Sequence, residues 1–185
     1  MCIQLRRIDR FEEAIVNFIH NHPDAYNGDE NLTVGVDVPD DSYLYNICDG
    51  ENKVGFFFIS IKDDIKGYGH EIEIGIFDEY QRGNFANESQ SAPRYGTTCL
   101  RNFQTLVPDW EELTKDDDCI YACVRANNRL REHIERMLCE CRFISMNEEI
   151  EKIEKFNIGN NCREERNNNE ESINNSFFYK NIRHN

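Results

Sequence analysis

The stretch of sequence that decides the fold is residues 70–86, HEIEIGIFDEYQRGNFA. In its first half Glu71, Glu73 and Gly75 fall on one face, while isoleucines occupy the other, a pattern typical of a half-buried β-strand. Its second half contains Gln-Arg-Gly-Asn, residues 81–84, a composition typical of a turn. The stretch therefore predicts a strand that runs into a glycine-containing loop.

Further strands precede this stretch. Residues 43–48 and 54–61 are apolar runs separated by a short segment that contains Gly50, which predicts a β-hairpin. Residues 3–8 alternate weakly and predict a first strand. Asp9 then stands where the N-cap of an amphipathic helix is expected. The segment after that helix, residues 32–38, could be a loop or a minor strand.

Helices and strands also follow the stretch. Residues 96–106 predict a helix, and residues 119–124 predict an apolar strand. Asn127 or Asn128 is then expected to cap another helix, which runs to about residue 141. A polar, asparagine-rich excursion covers about residues 157–175. Three aromatic residues and an isoleucine follow it, so we expect residues 176–182 to return to the core as an edge strand.

Charge and cysteine usage limit the classes of partner. Lys and Arg total 21 against 35 Asp and Glu, so the formal net charge is −14 and duplex nucleic acid is not an expected partner. A small cationic amine suits this sign, although solubility alone also explains an acidic chain. The start of the chain lacks an apolar signal-peptide core, and no apolar run is long enough to span a bilayer, so we expect a cytoplasmic protein with no membrane partner. The eight cysteines are then expected to be free thiols and not metal ligands, although Cys119 with Cys123 and Cys139 with Cys141 approach zinc-site spacing.

Three segments resemble, in order, motifs of the GCN5-related N-acetyltransferase (GNAT) superfamily. Residues 71–83 (EIEIGIFDEYQRG) are similar to the family's fourth strand and the start of its acetyl-CoA pyrophosphate loop. Residues 120–128 (IYACVRANN) are similar to its fifth strand, followed by an asparagine at the mouth of the next helix. Residues 135–143 (ERMLCECRF) stand in the place of its Glu-Lys-Leu-Gly-Phe helix end. The resemblance covers residues 1–185 and implies one α/β domain with a mixed, mostly antiparallel, twisted sheet flanked by helices.

The family's pyrophosphate loop, Gln/Arg-x-x-Gly-x-Gly/Ala, can be placed on this chain in two registers. Residues 81–86 put Asn84 where the first glycine belongs, and residues 91–96 keep only the last glycine, Gly96. We expect a loop lengthened by residues 84–93, with the phosphates meeting the helix that starts near Gly96, because helix N-termini bind anions. The resemblance implies that acetyl-CoA contacts Ile76, Phe77, Asp78, Gln81, Arg82, Gly83, Asn84, Arg94, Tyr95, Gly96, Thr97 and Asn128.

The same resemblance implies the catalytic groups. Glu73, or else Glu71, is expected to be the general base that takes a proton from the acceptor amine. Backbone N–H groups of residues 76–78 are expected to polarise the thioester carbonyl. The family's general-acid tyrosine has no counterpart here, since Ile134 and Glu135 occupy the corresponding positions. Tyr121, His133, Cys139 and Cys141 are alternative candidates for the acid.

The predicted function is transfer of the acetyl group of acetyl-CoA to a primary amine of a small molecule or peptide, by direct transfer in a ternary complex without a metal. The missing tyrosine and the altered loop leave one alternative, a catalytically degenerate domain of the same fold that binds acyl-CoA or a protein. The aromatic C-terminal strand could pair across a homodimer. The sequence does not identify the acceptor.

Overall fold

The structure is a computed structural model, and it describes residues 2–26, 32–61, 70–81, 94–108, 110–114, 119–125, 128–146 and 176–181. A short 3₁₀ turn, Asp78–Tyr80, follows the fourth strand. The strands are β1 (Ile3–Ile8), β2 (Ser42–Asp49), β3 (Asn52–Ile61), β4 (His70–Ile76), β5 (Cys119–Val124), β6 (Ile144–Ser145) and β7 (Ser176–Asn181). The helices are α1 (Glu13–Asn21), α2 (Tyr95–Leu106), α3 (Trp110–Leu113) and α4 (Arg131–Glu140).

The strands form one sheet in the order β1-β2-β3-β4-β5-β7-β6. Neighbouring strands are antiparallel except for β4 and β5, which are parallel. The predicted fold class, an α/β protein with a mixed and mostly antiparallel sheet between helices, is therefore confirmed. The predicted hairpin is also present, and Gly50 occupies its turn with a φ of +64°, a conformation that favours glycine.

Helices cover both faces of the sheet because residues alternate along each strand. Leu44, Phe56 and Phe77 point to one face and pack against the apolar stripe of α1. Phe57 and Ile72 point to the other face, where they pack with α2 and α4. Glu71 and Glu73 share the α1 face, as the alternation in the sequence predicts.

Two predictions about local structure are wrong. Asp9 does not cap α1, which begins at Glu13 after Glu12; the carbonyl of Asp9 instead accepts a hydrogen bond from the Val38 amide. The C-terminal strand is not an edge strand, because β7 lies between β5 and the short strand β6. The asparagine-rich excursion lies outside the described residues, and the single domain over residues 1–185 stays a prediction.

Candidate active site between strands β4 and β5

Strands β4 and β5 separate from each other almost as soon as they meet. Glu71 on β4 and Tyr121 on β5 form the one register pair that joins them among the described residues. On the other side of β4, the antiparallel ladder with β3 continues for seven pairs, to Ile76. The sheet therefore opens on the β5 side of residues 72–76 and leaves a gap.

Backbone hydrogen-bonding groups of β4 face this gap. Phe77 donates its amide to the Val54 carbonyl of β3 at 3.0 Å. Because bonded and non-bonded pairs alternate in an antiparallel ladder, the N–H and C=O of Ile76 and Ile74 point away from β3, toward β5. The prediction that the Phe77 amide faces an acyl group is therefore wrong. Ile74, which the sequence analysis did not single out, has the orientation expected there.

A cavity of about 410 Å³ extends from this gap to the N-terminus of α2. Arg94, which precedes the first residue of α2, lines the cavity together with Arg129 and Arg136. Three arginines and two acidic residues, Asp24 and Glu140, thus line one cavity in a chain of net charge −14. A cavity walled by a helix N-terminus and by arginines suits an anionic ligand.

The start of α2 and the residue before it supply four of the predicted site residues, and all four line this cavity: Arg94, Tyr95, Gly96 and Thr97. The hydroxyl of Tyr95 donates a hydrogen bond to Asp49 at 3.1 Å, which fixes the start of α2 against the end of β2. A Cβ at Gly96 would meet Ile76 Cγ1 and Met137 Sδ at 3.6 Å, an ordinary contact. The protein itself therefore leaves room for a methyl group at Gly96.

The turn after β4 is held by its own side chains. Gln81 donates from Nε2 to the Ile76 carbonyl at 2.8 Å and to Asp78 at 3.0 Å. His22 at the end of α1 also contacts the Asp78 carboxylate, at 3.1 Å. The side chains of Gln81 and Asp78 thus bind within the protein, although Gln81 also lines the cavity. Arg82, Gly83 and Asn84 lie outside the described residues, so neither loop register is tested.

The two predicted catalytic glutamates line a second, smaller cavity of about 140 Å³ in the same gap. Glu71 is buried, with 6% of its surface exposed, and Glu73 is half-buried. Burial raises the pKa of the neighbouring Tyr121 hydroxyl, and the charge of Glu71 raises it further. This hydroxyl therefore stays protonated beside the Glu71 carboxylate.

Tyr26 is the site residue that the sequence analysis missed. It follows α1 in a loop-like segment with no local motif, and it lines both cavities. Its hydroxyl donates a hydrogen bond of 2.7 Å to the Ile74 carbonyl. Desolvation raises the pKa of this hydroxyl, and Glu73 and Asp24 raise it further, so it acts as a hydrogen-bond donor. Only the presence of an aromatic side chain in a predicted loop could have indicated it.

Asn128 lies at the mouth of α4 and lines both cavities. Its Oδ1 accepts a hydrogen bond of 2.8 Å from the Leu130 amide, so it closes the turn that leads into the helix. The residue directly before α4 is Leu130, so the prediction that Asn128 is the N-cap is wrong. The oxygen is thus occupied in the protein, and the carboxamide nitrogen is the group left to meet a ligand carbonyl. Asn127, the other predicted capping residue, lies outside the described residues.

The four alternative candidates for the general acid are scattered. His133 lines the larger cavity, and Tyr121 lies beside Glu71 on the α1 face. Cys139 is exposed, and Cys141 is buried with its thiol 3.7 Å from the Thr97 carbonyl. Neither cysteine lines either cavity. The structure thus brings no cysteine into the gap from α4.

Two searches of the described residues bear on other classes of protein. No three His, Cys, Asp or Glu side chains in that part of the chain come together as a group that could hold a metal ion. None of the helices described is long and apolar enough to cross a membrane.

Comparison with solved structures identifies the fold. The chain is similar to a Bacillus subtilis acetyltransferase in complex with CoA, with a TM-score of 0.54 and 12% identity over 98% of this chain and 99% of that one. It is also similar to a Vibrio cholerae spermidine N-acetyltransferase in complex with CoA and spermine, with a TM-score of 0.51 and 16% identity over 97% of this chain and 95% of that one. No protein-family model and no curated sequence matches the chain. The element order, the opening between β4 and β5 and these two neighbours agree: the chain has the fold of the GCN5-related N-acetyltransferases.

Proposed function

We propose that the chain is an acetyl-CoA-dependent N-acetyltransferase that acetylates a primary amine of a small molecule or peptide by direct transfer in a ternary complex. The observation that carries the proposal is the opening of the sheet after the Glu71–Tyr121 pair. It places backbone groups of β4 and two carboxylates around one gap.

The chemistry of the larger cavity suits the co-substrate acetyl-CoA. The unpaired amides at the start of α2 and the guanidinium groups of Arg94, Arg129 and Arg136 supply positive charge for phosphates. The Ile74 and Ile76 carbonyls already accept hydrogen bonds from Tyr26 and Gln81, so the N–H groups of these two residues are the β-strand edge groups left for the cofactor. Both structural neighbours named above were crystallised with CoA, which supports the same ligand here.

Acetyl transfer needs three changes at the reacting atoms. The acceptor ammonium loses a proton, for which Glu73 is the proposed base because it is half-buried and lines the smaller cavity. The amine nitrogen then bonds to the acetyl carbon as the carbon–sulfur bond breaks. The nitrogen loses a second proton to become the amide, and the departing thiolate takes up one proton to become the CoA thiol. The thioester bond supplies the driving force, and the chain supplies orientation and charge.

Backbone amides of β4 are the proposed donors for the carbonyl oxygen. The Ile74 and Ile76 N–H groups point into the gap, where the negative charge develops during attack. These groups lie on a strand fixed by its ladder to β3, so they are oriented before the reaction starts.

The negative charge of the two glutamates in the gap favours a cationic acceptor. Glu71, Glu73 and Arg125 line the smaller cavity, so two carboxyl side chains stand there against one guanidinium. That guanidinium donates to the carbonyls of Pro23 and Tyr26. One structural neighbour was crystallised with spermine, which is a polyamine. We therefore propose a primary amine as acceptor, and a cytoplasmic location and a homodimer remain predictions from the sequence.

The test uses CoA binding and turnover together. CoA at about 100 times its dissociation constant is expected to add roughly 2.7 kcal/mol to the free energy of unfolding and so to raise Tm by several degrees. Acetyl-CoA with a panel of primary amines is expected to release free CoA thiol. Stabilisation by CoA without thiol release across the panel would establish the degenerate acyl-CoA-binding domain instead. No stabilisation by CoA would overturn both functions.

A further inference from the structure

Tyr26 stands where the two cavities of the gap meet. It is one of five residues that line both, the others being Ala25, Ile74, Asn128 and Ile134. Its hydroxyl is bonded at 2.7 Å to the Ile74 carbonyl, so the phenol reaches β4 from the α1 side of the sheet. Tyr26 is the bulkiest of the five side chains shared by the two cavities.

The ring of Tyr26 is held in place by other aromatic rings. The Phe18 ring lies 5.8 Å away in an edge-on arrangement, and the Phe56 ring lies 5.6 Å away. Phe18 belongs to α1 and Phe56 to β3, which are both parts of the buried core on this face. The phenol is therefore packed as a fixed wall.

The backbone around Tyr26 is held from the opposite side of the gap. Arg125, directly after β5, donates to the carbonyls of Pro23 and Tyr26 at 3.0 and 2.9 Å. The Arg129 amide donates to the Asp24 carboxylate at 3.2 Å. Hydrogen bonds to both the ring and the chain thus fix Tyr26 between β4 and β5, because Ile74 belongs to the first strand and Arg125 follows the second.

The sizes of the two cavities bear on the length of acyl group that can bind beside Tyr26. A thioester that reaches Ile74 from the start of α2 has most of its carrier in the 410 Å³ cavity. The carbons of its acyl group beyond the carbonyl must fit past Tyr26 into a cavity of 140 Å³, which the acceptor amine also has to enter. The geometry points to Tyr26 as the residue that limits the length of the acyl group, a specificity role that rests on the proposed acyl-CoA-dependent transfer.

The ring and the hydroxyl of Tyr26 have different roles in this proposal. The ring fills space, so shortening the side chain should admit longer acyl groups. The hydroxyl binds a carbonyl of β4 and does not face the acyl carbons as a charged group, since burial raises its pKa. Loss of the hydroxyl alone should leave the acyl-length preference nearly unchanged.

The experiment compares a series at position 26 that decreases in size: Tyr26→Phe, Tyr26→Leu and Tyr26→Ala. The measured quantity is the ratio of kcat/KM for butyryl-CoA to that for acetyl-CoA with one amine. One methylene group in an apolar pocket changes discrimination by about 10- to 200-fold, so the ratio should rise at least tenfold in Tyr26→Ala. Tyr26→Phe should stay within about threefold of the wild-type ratio, because the ring that fills the space is retained. Tyr43→Ala is the control, since Tyr43 packs against Arg7 and lines neither cavity.

A ratio that does not change through the series, in variants that still turn over acetyl-CoA, would overturn the inference. Tyr26→Leu keeps an apolar side chain in the core, so the series does not depend on the alanine variant folding.

A binding measurement separates this inference from the proposed function. Non-reactive S-ethyl-CoA and S-butyl-CoA are titrated calorimetrically into the wild type and the same variants. A shift toward S-butyl-CoA in the smaller variants supports the inference even if no amine is acetylated. Equal preference in all variants overturns it while leaving CoA-dependent transfer intact, and no binding of either thioether to the wild type overturns both.

Discussion

Glu71 and Tyr121 face each other across the one register pair that joins β4 to β5 in the described chain, and both are buried. Glu73 lies two residues further along the same face, at a point where β5 has already moved away. The two glutamates therefore have different surroundings: Glu71 is packed against a tyrosine hydroxyl, and Glu73 stands at the edge of the open gap.

This difference predicts that the two glutamates contribute unequally to turnover. Glu73→Gln should lower kcat by roughly 10²–10⁴, the usual loss for a general base. Glu71→Gln should lower it less than about tenfold, because the buried amide retains a hydrogen-bonding group without reaching the acceptor. Steady-state kinetics with acetyl-CoA and one alkylamine measures both.

The pH dependence of turnover is the control for the comparison of Glu73→Gln with Glu71→Gln. An alkylamine is partly neutral at about pH 10, so it needs less help from a base there and the defect of Glu73→Gln should shrink. A defect of Glu71→Gln larger than that of Glu73→Gln would reverse the assignment of the base.

Gly96 provides a test of where the pyrophosphate binds. Gly96→Ala places a methyl group at an ordinary distance from Ile76 and Met137, and alanine is the better helix former, so the variant should fold with unchanged or higher Tm. The same methyl group stands where phosphate would approach the start of α2. We expect the dissociation constant for CoA to rise about tenfold, equivalent to roughly 1.4 kcal/mol, measured by calorimetry.

Gly55→Ala is the structural counterpart, because its Cβ would overlap the carbonyl oxygen of Gly75 on the neighbouring strand. That variant should unfold at a clearly lower temperature than the wild type. Unchanged CoA affinity in Gly96→Ala would instead favour the loop register of residues 81–86.

Arg94 should contribute to CoA binding by its charge. It is exposed at the N-terminus of α2 and lines the larger cavity. Arg94→Ala should weaken CoA binding about fivefold at low salt, and the difference should narrow at about 1 M salt, where the Debye length falls to about 3 Å. Arg10→Ala is the control, since Arg10 is exposed, pairs with Asp37, and neither residue lines either cavity. Equal losses in both variants would indicate an unspecific effect of net charge.

The elements that the sequence predicted well are those fixed by local patterns. Alternation predicts β4 and the β2–β3 hairpin, and helical spacing predicts α2 to within one residue of its observed start at Tyr95. Such patterns depend on which face of an element is buried, and this information lies within a few residues of sequence.

The features that it did not predict depend on distant partners. The position of β7 between β5 and β6 is set by which strands pair, and a run of aromatic residues reads alike at an edge and inside a sheet. Tyr26 enters the site through one hydrogen bond to Ile74, a residue 48 positions away. No local sequence pattern predicts that contact, whereas the shared face of Glu71 and Glu73 follows from alternation within one strand.

Glu135 should make stability depend on pH. Its carboxylate accepts hydrogen bonds from Arg131 at 2.8 Å and from Ser176 at 2.7 Å, and so ties α4 to β7. Desolvation opposes ionisation, but these two hydrogen bonds and the Arg131 charge outweigh it and lower the pKa. A carboxyl with a lowered pKa stabilises the folded state above its unfolded pKa of about 4.3, and this contribution is lost as the pH falls through the folded pKa.

Glu135→Gln should therefore lower the free energy of unfolding at pH 7, and the difference from the wild type should shrink as the pH is lowered below about 4. Urea denaturation at several pH values measures this difference. Glu132→Gln, on the same helix and exposed, is the control and should show little pH-dependent difference. A difference for Glu135→Gln that stays constant with pH would mean that the side chain acts through packing alone and that its charge does not stabilise the junction of α4 and β7.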